Sequence, residues 1–580
     1  MKTYRLRRRA HEELLPDLLE ARGVAPEAHG RFLTPDYSAD SHDPFLLPDM
    51  EVAVERVFSA IKHNEQIAVW SDYDCDGIPG GVMLTEFLCA IGLRVRHYIP
   101  HRHKEGYGLN AEGIDELAAE GVTLIITVDL GTTEYAGVAH ANAKKIDVVI
   151  TDHHLPSAKQ MDSGYGDSAA AESLEVASSS LGKTPPSVSL PPALAVINPK
   201  RPDSKYPFDA LCGAGVAWKL VQAILLKDRL GYGEGQEKWL LDLAGIATLS
   251  DMVPLVGENR MLAHFGLRVM RRGRRPGLTA LLSLLRIKPH LLTEDDIGFM
   301  VAPRINAASR MDSPHVAAQL LAATEPAQAQ ELARTLNKIN DERKGVVAAT
   351  VKEINKRLLS VDLTKSPLIV MGNPNWRPGV LGLVANSLME AHGKPVFLWG
   401  REGGEVIRGS VRSDGAISVV ELMSAAGDIF GHFGGHHASG GFSLDEERVH
   451  ELAPRLIAAY ETVAQHAQEP EVMLDRELSL ADVPHALGDL QRLAPFGIGN
   501  EKPLFMFPRA VIANARMFGK TQNHLELSLG ESGSAISGIA FFSTPASFQK
   551  KFSVGERADI IGHVEQDWRG APRIRVVDIM

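Results

Sequence analysis

The sequence is poor in several patterns, and each shortage excludes a class of protein. Only three cysteines occur in 580 residues, Cys75, Cys89 and Cys212, so the chain has neither a disulfide framework nor a zinc-type cysteine pattern. No run of about 18 apolar residues is present, which argues against a membrane-spanning helix. The N-terminal MKTYRLRRRAHEELL is basic but lacks the apolar segment of a signal peptide. These absences predict a cytoplasmic protein without membrane contact.

The composition is otherwise typical of a globular protein with several domains. Hydrophobic residues make up 44% and charged residues 23% of the chain, and its length predicts three or four domains. The formal net charge of −11 argues against a chain coated in basic surface, although a local basic groove is compatible with it.

One stretch, IAVWSDYDCDG at 67–77, concentrates chemically demanding residues. An apolar run typical of a buried strand leads into Asp72, Asp74 and Asp76, which Gly77 closes. Alternate side chains of an extended segment point the same way, so the three carboxylates could converge on one spot. A cation that prefers oxygen ligands, Mg²⁺ or Mn²⁺, would offset their repulsion. For this stretch alone, an acidic surface turn is the alternative.

The pattern D-x-D-x-D-G also begins the calcium loop of an EF-hand. That loop requires Glu at its twelfth position and a helix on each side. Counted from Asp72, the twelfth residue is Met83, and the motif follows a strand. The EF-hand is therefore rejected.

Strand-like and helix-like segments alternate from about residue 50 to 151, which predicts an α/β fold with a doubly wound parallel sheet. Such sheets bind ligands beyond the carboxyl ends of their strands. Metal-type side chains follow three of the expected strands, at 67–71, 122–128 and 147–151. In chain order they are Asp72, Asp74 and Asp76, then Asp129, then Asp152, His153 and His154. Taken singly, the two histidines could cap a strand end, and Asp251 could end a helix.

The later part of the chain changes pattern twice. A segment at 326–359 is almost free of Gly and Pro and has apolar residues at helical spacing, which predicts a long helix between two lobes. A second α/β region follows, and from about 470 short strand-like runs such as ELSL, HLELSLG and RIRVVDIM predict a small β-barrel.

Several motifs, in this order along the chain, resemble the DHH phosphoesterase family. The four motifs of its catalytic domain are matched by DYDCDG, TVDLG, TDHH and ATLSDMVPL. The DHHA1-bearing branch of the family is resembled by PRINAASR (303–310), NPNWRPGVLGLVA (373–385), GSVRS (409–413) and GHFGGHHASGGF (431–442). PFGIGNEKPLF (495–505) is similar to the start of the C-terminal OB-fold of its single-strand-specific exonucleases.

The resemblance implies five domains or segments. They are an N-terminal cap (1–45), a DHH catalytic domain (46–325) with a flexible insertion (157–190), a linking helix (326–360), a DHHA1 domain (361–468) and an OB-fold DNA-binding domain (469–580).

The resemblance also implies a single-stranded-DNA-specific 5′→3′ exonuclease of recombination and repair, which uses two Mg²⁺ or Mn²⁺ ions and releases 5′-mononucleotides. The metal ligands it implies are Asp74, Asp76, Asp129, His153 and Asp251. Asp72 and Asp152 would support the site, and His154 would face the scissile phosphate. The chemistry agrees, because two divalent ions can both activate water and neutralise the phosphate.

The substrate-binding residues implied are basic or hydroxyl-bearing. Arg310, Ser410 and Arg412 would hold a 5′-phosphate, since the guanidinium group of arginine forms bidentate hydrogen bonds with phosphate. Arg102 and Tyr107 resemble an entrance that admits one strand only, although core packing is an equal alternative for Tyr107. His436 would lie nearest the cleft in the glycine-rich loop.

Four positions depart from the family pattern. They are Trp70, Pro79, Leu130 and Ser309. Trp70 stands where some members have a metal-binding His, so the resemblance implies that one ion is a ligand short or has water in that place. None of the four removes an implied ligand.

Two other classes stay open, a short-oligonucleotide or cyclic-dinucleotide phosphodiesterase and a catalytically weak DNA-binding scaffold. The first would lack an OB-like third lobe, and the intact ligand set argues against the second. The family implies single-stranded DNA as substrate, a single-strand-binding protein and a helicase as partners, and a monomer.

Overall fold

A computed structural model describes residues 3–156, 189–363, 366–401, 406–464, 471–519, 522–530, 535–567 and 569–580. Nearly all of the expected insertion at 157–190 lies outside these residues. Contacts divide the chain into a barrel unit and a catalytic unit. The barrel unit is Met1–Asp40, Pro254–Met261 and Pro470–Met580, and the catalytic unit is Ser41–Val253 and Leu262–Glu469. No helix in the described ranges has the length and apolarity needed to span a membrane.

The helices of the described residues are as follows. They are α1 (Leu14–Ala21), α2 (His29–Leu33), α3 (Met50–His63), α4 (Gly77–Ala90), α5 (Ala111–Ala119), α6 (Tyr135–Ala143), α7 (Gly213–Lys227), α8 (Leu241–Ser250), α9 (Gly257–Met270), α10 (Pro276–Leu284), α11 (Glu294–Asp296), α12 (Ala302–Met311), α13 (His315–Ala322), α14 (Pro326–Leu358), α15 (Pro378–His392), α16 (Val419–Ala425), α17 (Val449–Val463) and α18 (Val483–Leu493).

The strands form four sheets. They are β1 (Thr3–Leu6), β2 (Gln66–Ser71), β3 (Arg94–Tyr98), β4 (Val122–Val128), β5 (Asp147–Thr151), β6 (Ala195–Ile197), β7 (Ile369–Gly372), β8 (Val396–Gly400), β9 (Ile407–Arg412), β10 (Phe430–His436), β11 (Ser439–Leu444), β12 (Glu471–Leu474), β13 (Arg476–Glu477), β14 (Phe505–Phe518), β15 (His524–Leu529), β16 (Ile536–Ala540), β17 (Arg557–Gln566) and β18 (Pro572–Ile579).

The first sheet of the catalytic unit is five-stranded and wholly parallel, in the order β3-β2-β4-β5-β6. Its central strands are buried on both faces, which explains their near-continuous runs of apolar residues. Ala68 and Trp70 pack with residues of α5 and α6 on one face, and α4 and α7 contact the strands. The predicted doubly wound fold is therefore confirmed.

The long helix α14 connects the two cores of the catalytic unit. It has 33 residues, about 50 Å at 1.5 Å per residue. Its first half contacts α10 and α12, whereas Ile354 and Leu358 belong to the core under the second sheet. That sheet has the order β10-β11-β9-β8-β7, with β7 and β8 parallel and the other pairs antiparallel.

The barrel unit closes because one long strand pairs on both sides. The first half of β14 is antiparallel to β17 and its second half is antiparallel to β15. With β16 and β18 this completes a closed five-stranded ring around an apolar core, and the expected C-terminal barrel is confirmed.

Two features of the barrel unit differ from the sequence-based expectation. The N-terminal segment, expected as a separate cap over 1–45, contributes β1 to a parallel pair with β12, and leucines of α1 lie in the barrel core. The helix α18 interrupts the expected strands, and of the run ELSL only Glu477 is in a strand. The spacing of Val483, Ala486 and Leu490, all buried, is the helical signal that was missed.

Arg260 holds two segments of the barrel unit together. It is 3% exposed, and its guanidinium lies 3.9 Å from the ring centre of Phe32. It donates to the carbonyl of Phe32 at 2.8 Å and to three consecutive carbonyls at 493–495 at 2.9, 3.1 and 3.3 Å.

We expect Arg260→Ala to lower the free energy of unfolding of the barrel unit by about 3 kcal/mol, because it strips a charged donor from four carbonyls. Calorimetry of the full chain would measure the loss. The exposed Arg492→Ala is the matched control and should change it by less than about 0.5 kcal/mol. Equal losses in the two variants would contradict this role.

Candidate metal centre and phosphate pocket

The acidic residues meet at one edge of the first sheet, the acidic edge, because its strands end there in register. The backbone N–H groups of Asp72, Asp129 and Asp152 each donate to the carbonyl of the last residue of the neighbouring strand, at 3.2, 3.0 and 3.1 Å. The three strand ends are thus tied together one after another. The side chains that the sequence placed after separate strands become neighbours.

The DYDCDG segment folds back on itself through Asp74. Its Oδ1 accepts hydrogen bonds from the backbone N–H of Asp76 at 2.8 Å and of Gly77 at 3.0 Å, at the start of α4. A Cβ on Gly77 would lie 2.5 Å from the carbonyl oxygen of Asp72, so only glycine fits. This turn brings the three carboxylates of the motif to one place.

Asp76 is held by a helix that sequence reasoning did not connect with the site. The N–H groups of Gly213 and Ala214, at the start of α7, donate to Asp76 at 2.6 and 2.8 Å. The positive end of a helix stabilises a carboxylate. A Cβ on Gly213 would lie 2.4 Å from the Cβ of Asp129, so glycine is also required for close approach. In the sequence, the only local signal of this contact is the pair Gly213 and Gly215 at the start of α7.

His153 points a ring nitrogen at three carboxylates. Its Nε2 lies 3.3 Å from Asp129 Oδ1, 3.7 Å from Asp251 Oδ2 and 3.9 Å from Asp76 Oδ2. Asp129 itself has φ of 65°, an uncommon conformation that Asp tolerates better than most residues and that is often found at functional sites. Asp251 directly follows the last residue of α8, and this helix places its carboxylate near His153.

The donor atoms fit divalent cations. Three groups have ligand atoms within 4.8 Å of one another: Asp76–His153–Asp251, Asp72–Asp74–Asp129 and Asp129–His153–His154. Three of the carboxylate oxygens, Asp72 Oδ1, Asp129 Oδ1 and Asp251 Oδ2, are buried and accept no hydrogen bond from the described residues. Buried charges of one sign without donors need a counter-ion, and oxygen with imidazole nitrogen suits Mg²⁺ and Mn²⁺.

The titration of these groups reflects burial and crowding. Burial, and then the charge of Asp74, raise the pKa of Asp76 to about 7. Burial followed by neighbouring carboxylates raises the pKa of Asp72, Asp129 and Asp251 well above the ordinary value. Burial lowers the pKa of His153 well below its usual range, which keeps the imidazole neutral, the form that binds metal.

Asp152 has hydrogen-bond partners on both of its carboxylate oxygens. Its Oδ1 accepts from the backbone N–H of His153 at 2.7 Å and pairs with His154 Nδ1 at 2.7 Å, and its Oδ2 accepts from Thr132 N–H at 2.8 Å. Although burial alone would raise the pKa of Asp152, the charge and hydrogen bond of His154 lower it. The ring of His154 is therefore oriented by an ionised carboxylate.

Trp70, which stands where some members of the family have a metal-binding His, does not reach the acidic edge in the structure. Trp70 is fully buried and stacks on Tyr98 with ring centres 4.1 Å apart, so it contributes nothing to the acidic edge. Asp72, expected only as a support, offers an oxygen within reach of Asp74 and Asp129. Leu130, Pro79 and Ser309 are all buried.

An arginine pocket is formed in the catalytic unit by residues of α12 and β9. Arg310 lies in the last turn of α12 and donates to the carbonyl of Gly379 in α15 at 2.9 Å. Ser410 and Arg412 of β9 face the same helix, since a Cβ on Gly382 would lie 2.8 Å from an Arg412 Nη and 3.7 Å from Ser410 Oγ.

The charges of this pocket repel one another. Burial lowers the pKa of Arg310 to about 9, and the neighbouring charges of Arg102, Arg343 and Arg412 contribute to that lowering in that order. Burial also lowers the pKa of Arg412. Cations that depress one another in this way are stabilised by an anion. Arg343, on α14, was not singled out from the sequence because nothing local marks it.

The loop after β3 lies over the acidic edge. Arg102 lies 4.9 Å from the ring centre of Tyr73, and its charge acts on Asp72. Tyr107 is half-buried and its hydroxyl donates to the carbonyl of Asp129 at 3.3 Å. His103, which sequence analysis missed, contacts the carbonyl of Arg310 at 3.2 Å and so links the loop to the arginine pocket.

His436 lies at the exposed end of the β10–β11 hairpin. It is opposite Ser439, which is in turn opposite Arg412 across β11 and β9. The residue is therefore two strand spacings from Arg412, about 10 Å.

Comparison with known proteins agrees with this architecture. Three family models match: DHH family, N-terminal domain (66–176), DHHA1 domain (365–462) and RecJ OB domain (474–577). The single-stranded-DNA-specific exonuclease RecJ of Bacillus subtilis (strain 168) is 31% identical over 571 residues, 97% of this chain and 67% of that protein. The protein of the same description from Salmonella typhimurium is 31% identical over 85% of this chain and 84% of its own length.

A solved structure is similar over the whole chain. The crystal structure of RecJ in complex with Mn²⁺ from Thermus thermophilus has a TM-score of 0.75 and 28% identity, and the match covers 100% of this chain and 79% of that one.

We expect Mn²⁺ to stabilise the catalytic unit, by about 2.7 kcal/mol at a concentration 100 times the dissociation constant. Without metal, the raised pKa of Asp76 means that stability is present at low pH and is lost as pH rises through about 7. The stabilisation by Mn²⁺ should therefore be larger at pH 8 than at pH 6. Calorimetry after chelation and re-addition measures it.

Asp129→Asn should remove most of this metal effect, whereas Asn at the exposed Asp209 should leave it intact. If Mn²⁺ stabilises the unmodified protein, Asp129→Asn and Asp209→Asn equally, the cation binds elsewhere.

Proposed function

This chain belongs to the RecJ family of single-stranded-DNA-specific exonucleases, and from that membership we propose that it hydrolyses single-stranded DNA from the 5′ end and releases 5′-mononucleotides. The observation that carries the proposal is one arrangement within the catalytic unit. A cluster of buried carboxylates and imidazoles lies under a loop, and that loop also contacts an arginine pocket. A terminal phosphate in the pocket would direct the next phosphodiester to the acidic edge.

The acidic edge is assigned to two divalent ions. Asp76, His153 and Asp251 would hold one, Asp72 and Asp74 the other, and Asp129 would be shared, because its oxygens take part in two of the three ligand groups. When bound, Mg²⁺ or Mn²⁺ supplies an acidified water and neutralises the phosphate charge. The protein fixes the spacing through the strand ends, the α4 turn and the start of α7.

His154 is assigned to the scissile phosphate. Asp152 holds it through Nδ1, and a carboxylate partner of this kind fixes the tautomer and orientation of an imidazole. The other nitrogen would then donate to a phosphate oxygen or to the leaving group. Asp152 acts here as a positioning residue.

The direction of digestion follows from the phosphate pocket. Arg310, Ser410 and Arg412 would bind the terminal 5′-phosphate, since guanidinium groups match phosphate geometry. A strand whose 5′ end is anchored there places its first internal phosphodiester at the metals, so hydrolysis proceeds 5′→3′. His436 would lie at the rim of this pocket.

Strand selectivity is assigned to the loop after β3. Arg102 would attract the backbone, and Tyr107 would line an entrance too narrow for a duplex. Because Tyr107 is also bonded to Asp129, its loss would disturb the site as well as the entrance.

The barrel is assigned to single-strand binding. His524 has ring contacts with Phe518, Phe541 and Phe542, and Phe542 is 81% exposed. Exposed aromatic rings stack on bases without regard to sequence. A single-strand-binding protein, a helicase and a monomeric state are further proposals, which rest on the family alone.

We expect Asp76→Ala and Asp129→Asn to lower the hydrolysis rate by about 10³-fold or more, because each removes a charged ligand. Binding of a 5′-phosphorylated single strand should persist, since the arginine pocket is intact. Release of labelled mononucleotides and fluorescence anisotropy measure the two effects. Asp209→Asn is the control, and full activity in either site variant would refute the metal assignment.

Arg412→Ala should reduce the preference for 5′-phosphate over 5′-hydroxyl ends by about tenfold or more. The comparison needs kcat/KM on both substrates, with the exposed Arg408→Ala as control on the same strand. If a 3′ label is lost before a 5′ label in the unmodified protein, the assigned polarity is wrong.

A further inference from the structure

A basic groove lies between α14 and α15, outside the acidic edge and adjoining the arginine pocket at Arg343. Its volume is ≈ 590 Å³. Its cationic side chains are Arg343, Lys344 and Lys352. Arg343 and Lys344 lie at one end of the groove, and Lys352 lies about two turns further along α14, where successive turns bring positions 343, 347, 351 and 355 into line over about 18 Å.

The groove begins at the arginine pocket. On α15, positions 379, 383 and 387 form one stripe at helical spacing. Gly379 receives the hydrogen bond of Arg310, and Leu383 and Ser387 line the groove. Arg343 belongs to both places, because it lines the groove and its charge lowers the pKa of Arg310. An anion in the groove and an anion in the pocket would share this residue.

The cations of the groove are poorly neutralised by the protein. Within the described ranges, the side chains of Arg343 and Lys352 make no hydrogen bond or ion pair, and the buried Nε of Arg343 has no acceptor. Lys344 has only an exposed contact at 3.6 Å with Asp341. No acidic residue lines the groove. The site therefore has a net positive charge that a bound anion would offset.

The floor of the groove is apolar and its far end is polar. Val347, Val351 and Leu383 provide aliphatic surface, and Asn355 and Ser387 provide hydrogen-bonding groups. A ligand complementary to these parts has a phosphate for the cations and a flat, partly apolar body for the valines and the leucine. Inorganic phosphate would leave the floor uncovered, and an uncharged nucleoside would leave the cations unpaired.

We propose that the groove between α14 and α15 binds a nucleoside 5′-monophosphate. The phosphate lies at the end of the groove marked by Arg343 and Lys344, and the base lies on Val347, Val351 and Leu383. The source of the ligand rests on the proposed function, because the neighbouring site would release this class of molecule at the end of the groove marked by Arg343.

Photolabelling of the full chain locates the ligand directly. With 8-azido-2′-deoxyadenosine 5′-monophosphate as the probe, we expect label in the peptide that contains 343–355, identified by mass spectrometry. Unlabelled 5′-dAMP should remove that label, whereas equal concentrations of deoxyadenosine or inorganic phosphate should not. Label found only elsewhere would overturn the proposal. Equal competition by phosphate or by deoxyadenosine would also overturn it, because a simple anion site or an apolar site would suffice.

Charge reversal provides the matched variants. Lys344→Glu should lower the labelling about tenfold, since this cation faces the bound phosphate. Lys356→Glu, one turn beyond Lys352 and outside the groove lining, should leave it unchanged. If the control lowers the labelling equally, net charge of the helix is the cause and the groove is not a site.

The assay separates this proposal from the exonuclease assignment. Exonuclease activity on a 5′-phosphorylated single strand is measured on the same preparation. Activity without groove labelling overturns the groove alone. Groove labelling without activity supports the nucleotide site and refutes the proposed function.

Discussion

Repulsion among buried carboxylates at the ends of three parallel strands is the constraint on which the catalytic unit depends. The protein offsets it locally with backbone N–H groups, from the α4 turn to Asp74 and from the start of α7 to Asp76. It also requires glycine at 77 and 213, where any side chain would collide with an aspartate. These contacts fix positions without cancelling the charge, so oxygens without donors persist beside the neutral ring of His153.

The arginine pocket has the opposite imbalance, an excess of positive charge. Arg310 and Arg412 are packed against α15 with backbone carbonyls as their acceptors, and Arg343 adds a third charge from α14. A DNA strand bound at the arginines would bring negative charge to them, and divalent cations would bring positive charge to the carboxylates, so binding of both would reduce the two imbalances. The loop after β3 contacts both, Asp129 through Tyr107 and Arg310 through His103.

Sequence alone predicted the features that depend on residues close to one another along the chain. Strands such as β2 and β4 show as buried apolar runs, and ligand-type residues that follow them must meet because parallel strands end on one side. Contacts between distant segments left no such signal: Gly213 with Asp76, Arg343 beside Arg310, and the N-terminal strand beside β12. The helix α18 was missed although its periodicity was present, since the surrounding strand-like runs dominated.

The pairing of β1 with β12 has a consequence for biosynthesis. Thr3 lies opposite Glu471, so a strand made among the first residues finds its partner 468 positions later. At ribosomal rates of about 5–20 residues per second, that interval is roughly 25–90 s. During this time the segments of the catalytic unit leave the ribosome with most of their own partners already made. The leucines of α1 cannot join the barrel core until the barrel strands emerge, so that core leaves their apolar side chains uncovered during synthesis.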